Sequence, residues 1–498
     1  MNQGGIPGCL WILISWGEGD LKFLVLTFAV RFAIKRQFVR QAYNRDEVGE
    51  GERRWFSSRQ EEDLFLEGSF PLLILTHSFK EESAMKKLFT FVTVLAVAFM
   101  LVPNLSLAGE QQPKVFKLGF ITSLSGPLAA SAETQRKAVV LLAEQINKKG
   151  GLNMPWGKVK VEIVQKDDEM KLDVGVRRFR ELVEAGVHGV TGTIYNPMAG
   201  ALNEECKLTG TPYIPACVPA IESFKKGNPA VATYSVAFTP WSIGYLMGDA
   251  LIKGMGKKRI FWQGRPDSWG TVMLDGLKAY IKDNSVGEIV GVEENQRGTL
   301  DYSAVINKAL ALKPDVFSVN MFGGDASACI KQAYDMGMHK VSMLFNTWTL
   351  WEVGMGIPEA ALAEMYALTY YFYKMDDFSK ELAAKGKGLV ADHMKMWKEP
   401  PDAYGVLCYT AGSILFQAVE KAKSVDSNTL GEVIATSTFD TVRGPSKFRE
   451  DHQLTGDNLA FMVKGKKKSE QKEKWDVFKV LGVYGGDKAL PPLKDLGY

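Results

Sequence analysis

Cysteine is scarce, with five in 498 residues, too few for a disulfide scaffold. A charge surplus of one sign is missing as well. The chain carries 60 Lys and Arg against 57 Asp and Glu, a net +3, where a nucleic-acid binder shows a basic surplus. No apolar run reaches the ~20 residues needed to span a bilayer as a helix. After residue 109 there are four histidines (188, 339, 393 and 452), and none stands in an HExxH or other metal-ligand spacing. There is no G-x-S-x-G elbow and no G-x-x-x-x-G-K-[ST] phosphate loop. An enzyme reading therefore has no nucleophile–base pair, metal set or cofactor motif to stand on. What is there is ordinary: 46% apolar and 23% charged residues, which excludes a disordered or collagen-like chain.

The totals hide a boundary. Met85-Lys86-Lys87 is a short basic segment, Leu88–Val102 an apolar run, and Ser106 and Ala108 place small residues at the −3 and −1 positions of a cut after Ala108. That is the layout of a secretory signal peptide over 85–108, and it predicts export to the periplasm. Residues 1–84 show no persistent helical or strand period, and Gly49–Arg54 reads as loop. The expectation is that Met85 is the true initiator and 1–84 a mis-assigned start or a disordered extension. The mature chain is then 390 residues, still +3. Export permits a disulfide, with Cys206 and Cys217 the nearest pair, while buried free thiols fit equally.

From Val115 onward strands and helices alternate. Val115–Ile121 reads as a strand, and Ala132–Lys149 as a helix with Val139, Leu142, Ala143 and Ile146 on one face, stopped by Gly150-Gly151. Val159–Val164, Asp173–Glu184, Val187–Thr191, Met198–Thr209 and Pro212–Pro215 continue the series. A second series starts after Thr239-Pro240. Its helices are Trp241–Gly254, Thr271–Asp283, Tyr302–Leu312 and Ala326–Met336, and its strands Arg259–Gln263, Glu288–Val292, Val316–Met321 and Val341–Phe345. A long helix over Ala403–Ala422 and a shorter one over Leu430–Ala435 follow. Such units imply doubly wound parallel sheets, and two α/β lobes facing each other make a cleft at the strand carboxyl ends. The length prior of roughly three domains thus becomes two lobes plus a front segment.

Aromatic residues collect at the ends of these strands: Tyr195, Trp269, Phe322, Trp348 and Trp351. Together they predict a cleft lined with flat apolar surface. Asp167-Asp168-Glu169 reads as a polar βα loop rather than a metal site. Asp325 either faces a ligand cation or N-caps a helix starting at Ala326, and the cap is favoured.

Leu118–Ile121 leading to Leu124-Ser125-Gly126-Pro127, Ile146–Gly151, Gly210–Ile214, Tyr404–Tyr409 and Arg443-Gly444-Pro445 with Phe448 and Asp451 occur in one order over nearly all of 115–465. In this the chain resembles the periplasmic solute-binding proteins of ABC importers of the leucine/isoleucine/valine-binding type. The resemblance implies two Rossmann-like lobes, 115–236 with 370–443 and 237–369 with 444–498. Three crossovers near Val236–Thr239, Leu368–Phe372 and Val442–Pro445 join them. It implies a monomer that closes on a small molecule and docks on permease subunits, with no nucleic-acid partner and no cofactor. The alternative on the same fold is a ligand-sensing receptor module.

Carried across by the resemblance, the carboxylate-holding positions are Asn196, Cys217 and Pro219, so the family's threonine hydroxyl is missing, with backbone N–H at Asn196 and Val218 in reserve. Trp269 matches the second-lobe tyrosine and Ser131 the first-lobe aromatic. Where amino-acid binders place a carboxylate for the ammonium, this chain has Thr347, between Asn346 and Trp348. An ammonium sealed in a dry cleft without a charged partner costs several kcal/mol, so an aromatic or aliphatic carboxylate, or an amide, is expected unless Asp325 substitutes. The expected ligand set is Ser131, Tyr195, Asn196, Cys217, Val218, Pro219, Trp269, Phe322, Asp325, Thr347 and Trp348.

Overall fold

A computed structural model describes residues 14–17, 20–23, 112–216 and 219–498. The expected signal peptide over 85–108, the rest of the front segment, and Cys217 and Val218 lie outside the described residues. In the front segment, β1 (Ile14–Gly17) and β2 (Asp20–Phe23) pair as an antiparallel hairpin, which the sequence reading did not assign. Four-residue strands are too short to establish a period.

In the remainder, β3 (Val115–Thr122) is buried over most of its length, as an apolar strand covered on both faces must be. The helix behind it, α1 (Ala129–Lys148), buries Ala138, Val139, Leu141 and Leu142 at helical spacing. It ends at Gly150-Gly151, both at positive φ, the conformation that favours glycine. β4 (Leu152–Met154) and β5 (Gly157–Asp167) form a hairpin, of which the sequence reading held only Val159–Val164. α2 (Leu172–Glu184), β6 (Gly189–Gly192), α3 (Asn196–Thr209) and β7 (Tyr213–Pro215) complete the first sheet, ordered β4-β5-β3-β6-β7. All its pairings but β4–β5 are parallel, so Thr122, Asp167, Gly192 and Pro215 reach one edge.

The second sheet is built the same way. α4 (Pro240–Gly248) starts with Thr239 as cap and Pro240 in its first turn. The last stretch of the expected Trp241–Gly254 helix, Asp249–Gly254, is wound as a π-helix. Then follow β8 (Arg259–Gly264), α5 (Ser268–Asn284), β9 (Glu288–Glu294), α6 (Ser303–Leu312), β10 (Val316–Val319), α7 (Gly323–Asp335), β11 (Met343–Asn346), α8 (Trp351–Met355), α9 (Glu359–Glu364) and β12 (Met365–Thr369). In the order of this sheet, two later strands (Phe478–Tyr484, then Ala460–Gly465) precede β12-β11-β10-β8-β9. Its parallel pairs bring Gln263, Val319 and Asn346 to one edge.

After β12 the chain returns to the first sheet. α10 (Lys380–Trp397) and α11 (Ala403–Ala422) pack on α1, and α12 (Ser427–Thr436) follows. β13 (Phe439–Thr441), β14 (Gly444–Phe448) and β15 (Leu454–Thr455) form a small antiparallel sheet. Only β16 (Ala460–Gly465) and β17 (Phe478–Tyr484) rejoin the second sheet, as antiparallel edge strands. The third passage therefore falls beyond Thr455, later than the expected Val442–Pro445, because Gly444–Phe448 is held by pairing to Phe439–Thr441. The architecture is two doubly wound α/β halves linked by three connections, with helices on the sheet faces and the strand carboxyl ends free to form a site.

Candidate ligand-binding site

The first sheet's carboxyl edge is a polar network. Thr122 Oγ1 donates to Gln135 Oε1 at 3.0 Å, and Gln135 Nε2 donates to the Thr193 carbonyl at 3.1 Å. Asp167 closes the loop above by accepting from the Leu124 and Glu169 amides. Asp168 is fully buried and accepts from Ser123 Oγ at 2.6 Å and the Met170 amide at 2.8 Å. Burial raises its pKa against those hydrogen bonds. The Asp-Asp-Glu run is thus loop architecture, as its polar βα reading expects. Ser131 sits in the first turns of α1, its carbonyl taken by Thr134 Oγ1. Tyr195, half-buried, is the residue before α3, and Asn196 opens that helix. Pro219 borders a cavity that Ala199, Phe224 and His452 also line.

The second sheet's edge carries more chemistry. Gln263 ends β8, and its Nε2 donates to Asn295 Oδ1 at 2.9 Å. Arg265 follows, buried, with its guanidinium 5.4 Å from the Trp269 ring centre. It pairs with Asp267, which also caps α5 by accepting from the Gly270 amide at 3.1 Å. Phe322, at the start of α7, meets Tyr404 of α11 edge-on at 5.8 Å. This contact joins residues that belong to opposite sheets.

Three expected residues stand otherwise than the sequence suggested. α7 begins at Gly323 rather than Ala326, so Asp325 lies inside its first turn and is no cap. Its carboxylate accepts from the Gly298 amide at 3.1 Å and ties down the loop after β9. Thr347 is fully buried, and its hydroxyl is engaged with Asn320 Oδ1 and, at 3.5 Å, Met247 Sδ. Trp348 is packed edge-on against Phe238 at 5.6 Å and near Tyr370 at 6.1 Å. It lines the connections between the sheets rather than an open wall.

Against known proteins, residues 115–470 match the family described as periplasmic binding protein. The chain belongs to the periplasmic binding protein family. It is 23% identical to Leu/Ile/Val-binding protein homolog 3 of Brucella melitensis over 379 residues, covering 74% of this chain and 93% of that one. The fold is shared with a branched-chain amino acid ABC transporter periplasmic ligand-binding protein from Burkholderia xenovorans, with a TM-score of 0.68, 21% identity and coverage of 76% and 98%. It is shared also with an ABC transporter solute-binding protein from R. palustris in complex with benzoate, with a TM-score of 0.62, 20% identity and coverage of 76% and 99%.

Within this periplasmic binding protein, Trp269, Phe322 and Asp325 come to the carboxyl edge of the second sheet, and Tyr195 and Asn196 to that of the first. Sequence reasoning missed Arg265, because it lies four positions before Trp269 in a loop and no period links the two. It also missed Gln263 and Asn346, each buried with one amide oxygen lacking a partner among the described residues. A polar residue closing an apolar strand was the only available signal. No helix among the described residues is long and apolar enough to cross a membrane.

Proposed function

We propose that this periplasmic binding protein is the substrate-binding component of an ABC importer and captures a small carboxylate between the carboxyl edges of its two sheets. The observation that carries the choice of ligand class is Thr347. The position where the resemblance expects a carboxylate for an ammonium holds a neutral, buried hydroxyl already committed to Asn320. Asp325, the other candidate, accepts from the Gly298 amide. An α-amino acid would bury its charge without a partner, whereas an acid without an ammonium escapes that cost. Leu/Ile/Val-binding names among the relatives and benzoate in a structural neighbour bracket the choice.

The two halves act as lobes, 115–236 with 370–455 and 237–369 with 456–498, closing on the ligand by rotation about the three connections. The closed protein is a monomer that docks on the permease subunits and carries out no catalysis. It works in the periplasm after cleavage behind Ala108. Ser131, Cys217, Val218 and Pro219 complete the proposed ligand set.

Isothermal titration of the mature chain with benzoate, leucine and benzamide tests the reading. Benzoate is expected to bind with a Kd in the micromolar range or tighter, and leucine at least tenfold more weakly. Tight leucine binding without benzoate binding overturns the ligand class.

A further inference from the structure

Arg265 is an unusual residue to bury. Its side chain is 7% exposed, yet only one ion pair is formed, from Nη2 to Asp267, and the buried Nε–H has no acceptor among the described residues. Asp267 cannot neutralise it alone, since the same carboxylate caps α5 and faces Arg297 at 3.7 Å. Burial and the nearby Arg297 charge pull the Arg265 pKa down to about 10, which marks a cation short of compensation. A second buried donor also feels the Asp325 carboxylate. The Tyr302 hydroxyl is fully buried without a partner, and both it and Arg265 feel the charge of Asp325. That carboxylate is bound to the Gly298 amide. The Nε–H at the Arg265 corner and the Tyr302 hydroxyl thus each lack an acceptor among the described residues, a state that folded proteins rarely leave standing.

We propose that Arg265 grips the ligand's carboxylate from the second lobe, its Nε–H donating to one oxygen while Trp269 carries the ligand's flat body. This rests on the reading that the site takes a small acid, and it names the group that selects it. The corner sits at the carboxyl end of β8 beside the start of the 17-residue helix α5, whose N-terminal dipole adds to the attraction for an anion. Trp269, over which the guanidinium lies, is the residue that the resemblance turns toward the ligand. The polarity of the site is therefore inverted relative to an amino-acid site. The second lobe offers a buried cation at the end of β8 and a neutral threonine after β11, so it receives an anion where an ammonium would otherwise be held. A guanidinium suits this task better than an ammonium because its planar donors match a carboxylate's geometry.

The test titrates wild type, Arg265→Met and Arg265→Lys, each as the mature chain, with benzoate, with its neutral isostere benzamide, and with leucine. Wild type is expected to prefer benzoate to benzamide by about 100-fold, the scale of a charge-assisted hydrogen bond. Arg265→Met should remove that preference, with benzoate weakened by about 100-fold and benzamide nearly unchanged. Arg265→Lys keeps the charge but loses the directed donor, and should weaken benzoate by roughly tenfold. Should the Met variant fail to fold, as judged by circular dichroism, the Lys variant carries the same comparison. Unchanged benzoate affinity in the variants, or equal losses for benzoate and benzamide, overturns the assignment. Leucine bound equally by wild type and variants, with benzoate unbound, overturns the assignment and leaves a binding protein. A wild type that binds none of the three overturns the capture reading itself.

Discussion

The guanidinium of Arg443 lies 3.6 Å from the centre of the Tyr370 ring. Both side chains are buried, and each reaches a different connection between the sheets. Arg443 Nη1 donates to the Leu459 carbonyl at 2.9 Å, and the Tyr370 hydroxyl donates to the Val236 carbonyl at 2.6 Å. Asn458 Nδ2 donates back to the Arg443 carbonyl at 2.7 Å. Burial pulls the Arg443 pKa down, and the aromatic face and the hydrogen bonds to Asn458, Leu459 and Tyr370 offset part of that cost. All three connections therefore share one buried polar cluster. Tyr370→Phe leaves the Val236 carbonyl unpaired and is expected to destabilise by about 1–3 kcal/mol. Arg443→Met orphans the Asn458 and Leu459 carbonyls and the Tyr370 hydroxyl at once and is expected to cost more. Urea denaturation measures both, and equal stability to wild type would separate the cluster from the fold's energetics.

A pH dependence follows from Asp402. It caps α11 by accepting from the Tyr404 amide at 2.9 Å, and it is buried. Burial first, then the charge of Glu352 on α8, pushes its carboxyl up to about 8. Burial and the Glu399 charge raise Glu352 as well, while Lys137 is paired with Glu399 at 2.5 Å. With the folded pKa above the unfolded value of about 4, the native state holds the proton more tightly between those limits. Stability then falls as pH rises toward 8. The buried His188, His393 and His452 have lowered pKa values, so their opposite loss occurs on acidification. Melting curves at pH 7 and 8.5 isolate the carboxyl contribution. Asp402→Asn keeps a capping oxygen and should flatten the decline between those two values.

Helices α4 and α5 touch backbone to backbone. A Cβ at Gly244 would lie 1.8 Å from the Met273 carbonyl oxygen, and one at Gly276 1.9 Å from that of Trp241. Neither oxygen can move without breaking its helix. Gly244→Ala is expected to cost about 3 kcal/mol or more by overpacking, read as a lowered urea midpoint or as loss of soluble protein. A midpoint equal to wild type would show that the helices separate freely.

Cys206, Cys329 and Cys408 are free and buried. Burial pushes the Cys408 thiol up to about 12 and raises the other two. Thiolate is the reactive species, so Ellman's reagent at pH 8 should leave these three untouched in the folded protein and modify them after denaturation. Peptide mapping of the labelled chain identifies which react, and early labelling of any of the three would contradict the packing.

Alternation of strand and helix from Val115 to Ala435 was legible in the sequence, because a buried strand and an amphipathic helix each write their period into consecutive residues. The edge strands Ala460–Gly465 and Phe478–Tyr484 and the helix Lys380–Trp397 were not read there. For the strands, antiparallel pairing at a sheet edge rests on partners rather than on pattern. At the site, the aromatic residues at strand ends were visible one by one. Whether each would face a ligand was not, and Trp348 was claimed by Phe238 and Tyr370.

The sequence by itself determined the class of fold and the resemblance that names its family. Only the tertiary structure decided that Arg443 would bind Tyr370 and Leu459, and that Arg265 would be buried against Trp269 with a donor to spare. Secondary structure is chosen by neighbours a few positions apart. Compensation of a buried charge is chosen by whatever the sheet order brings alongside.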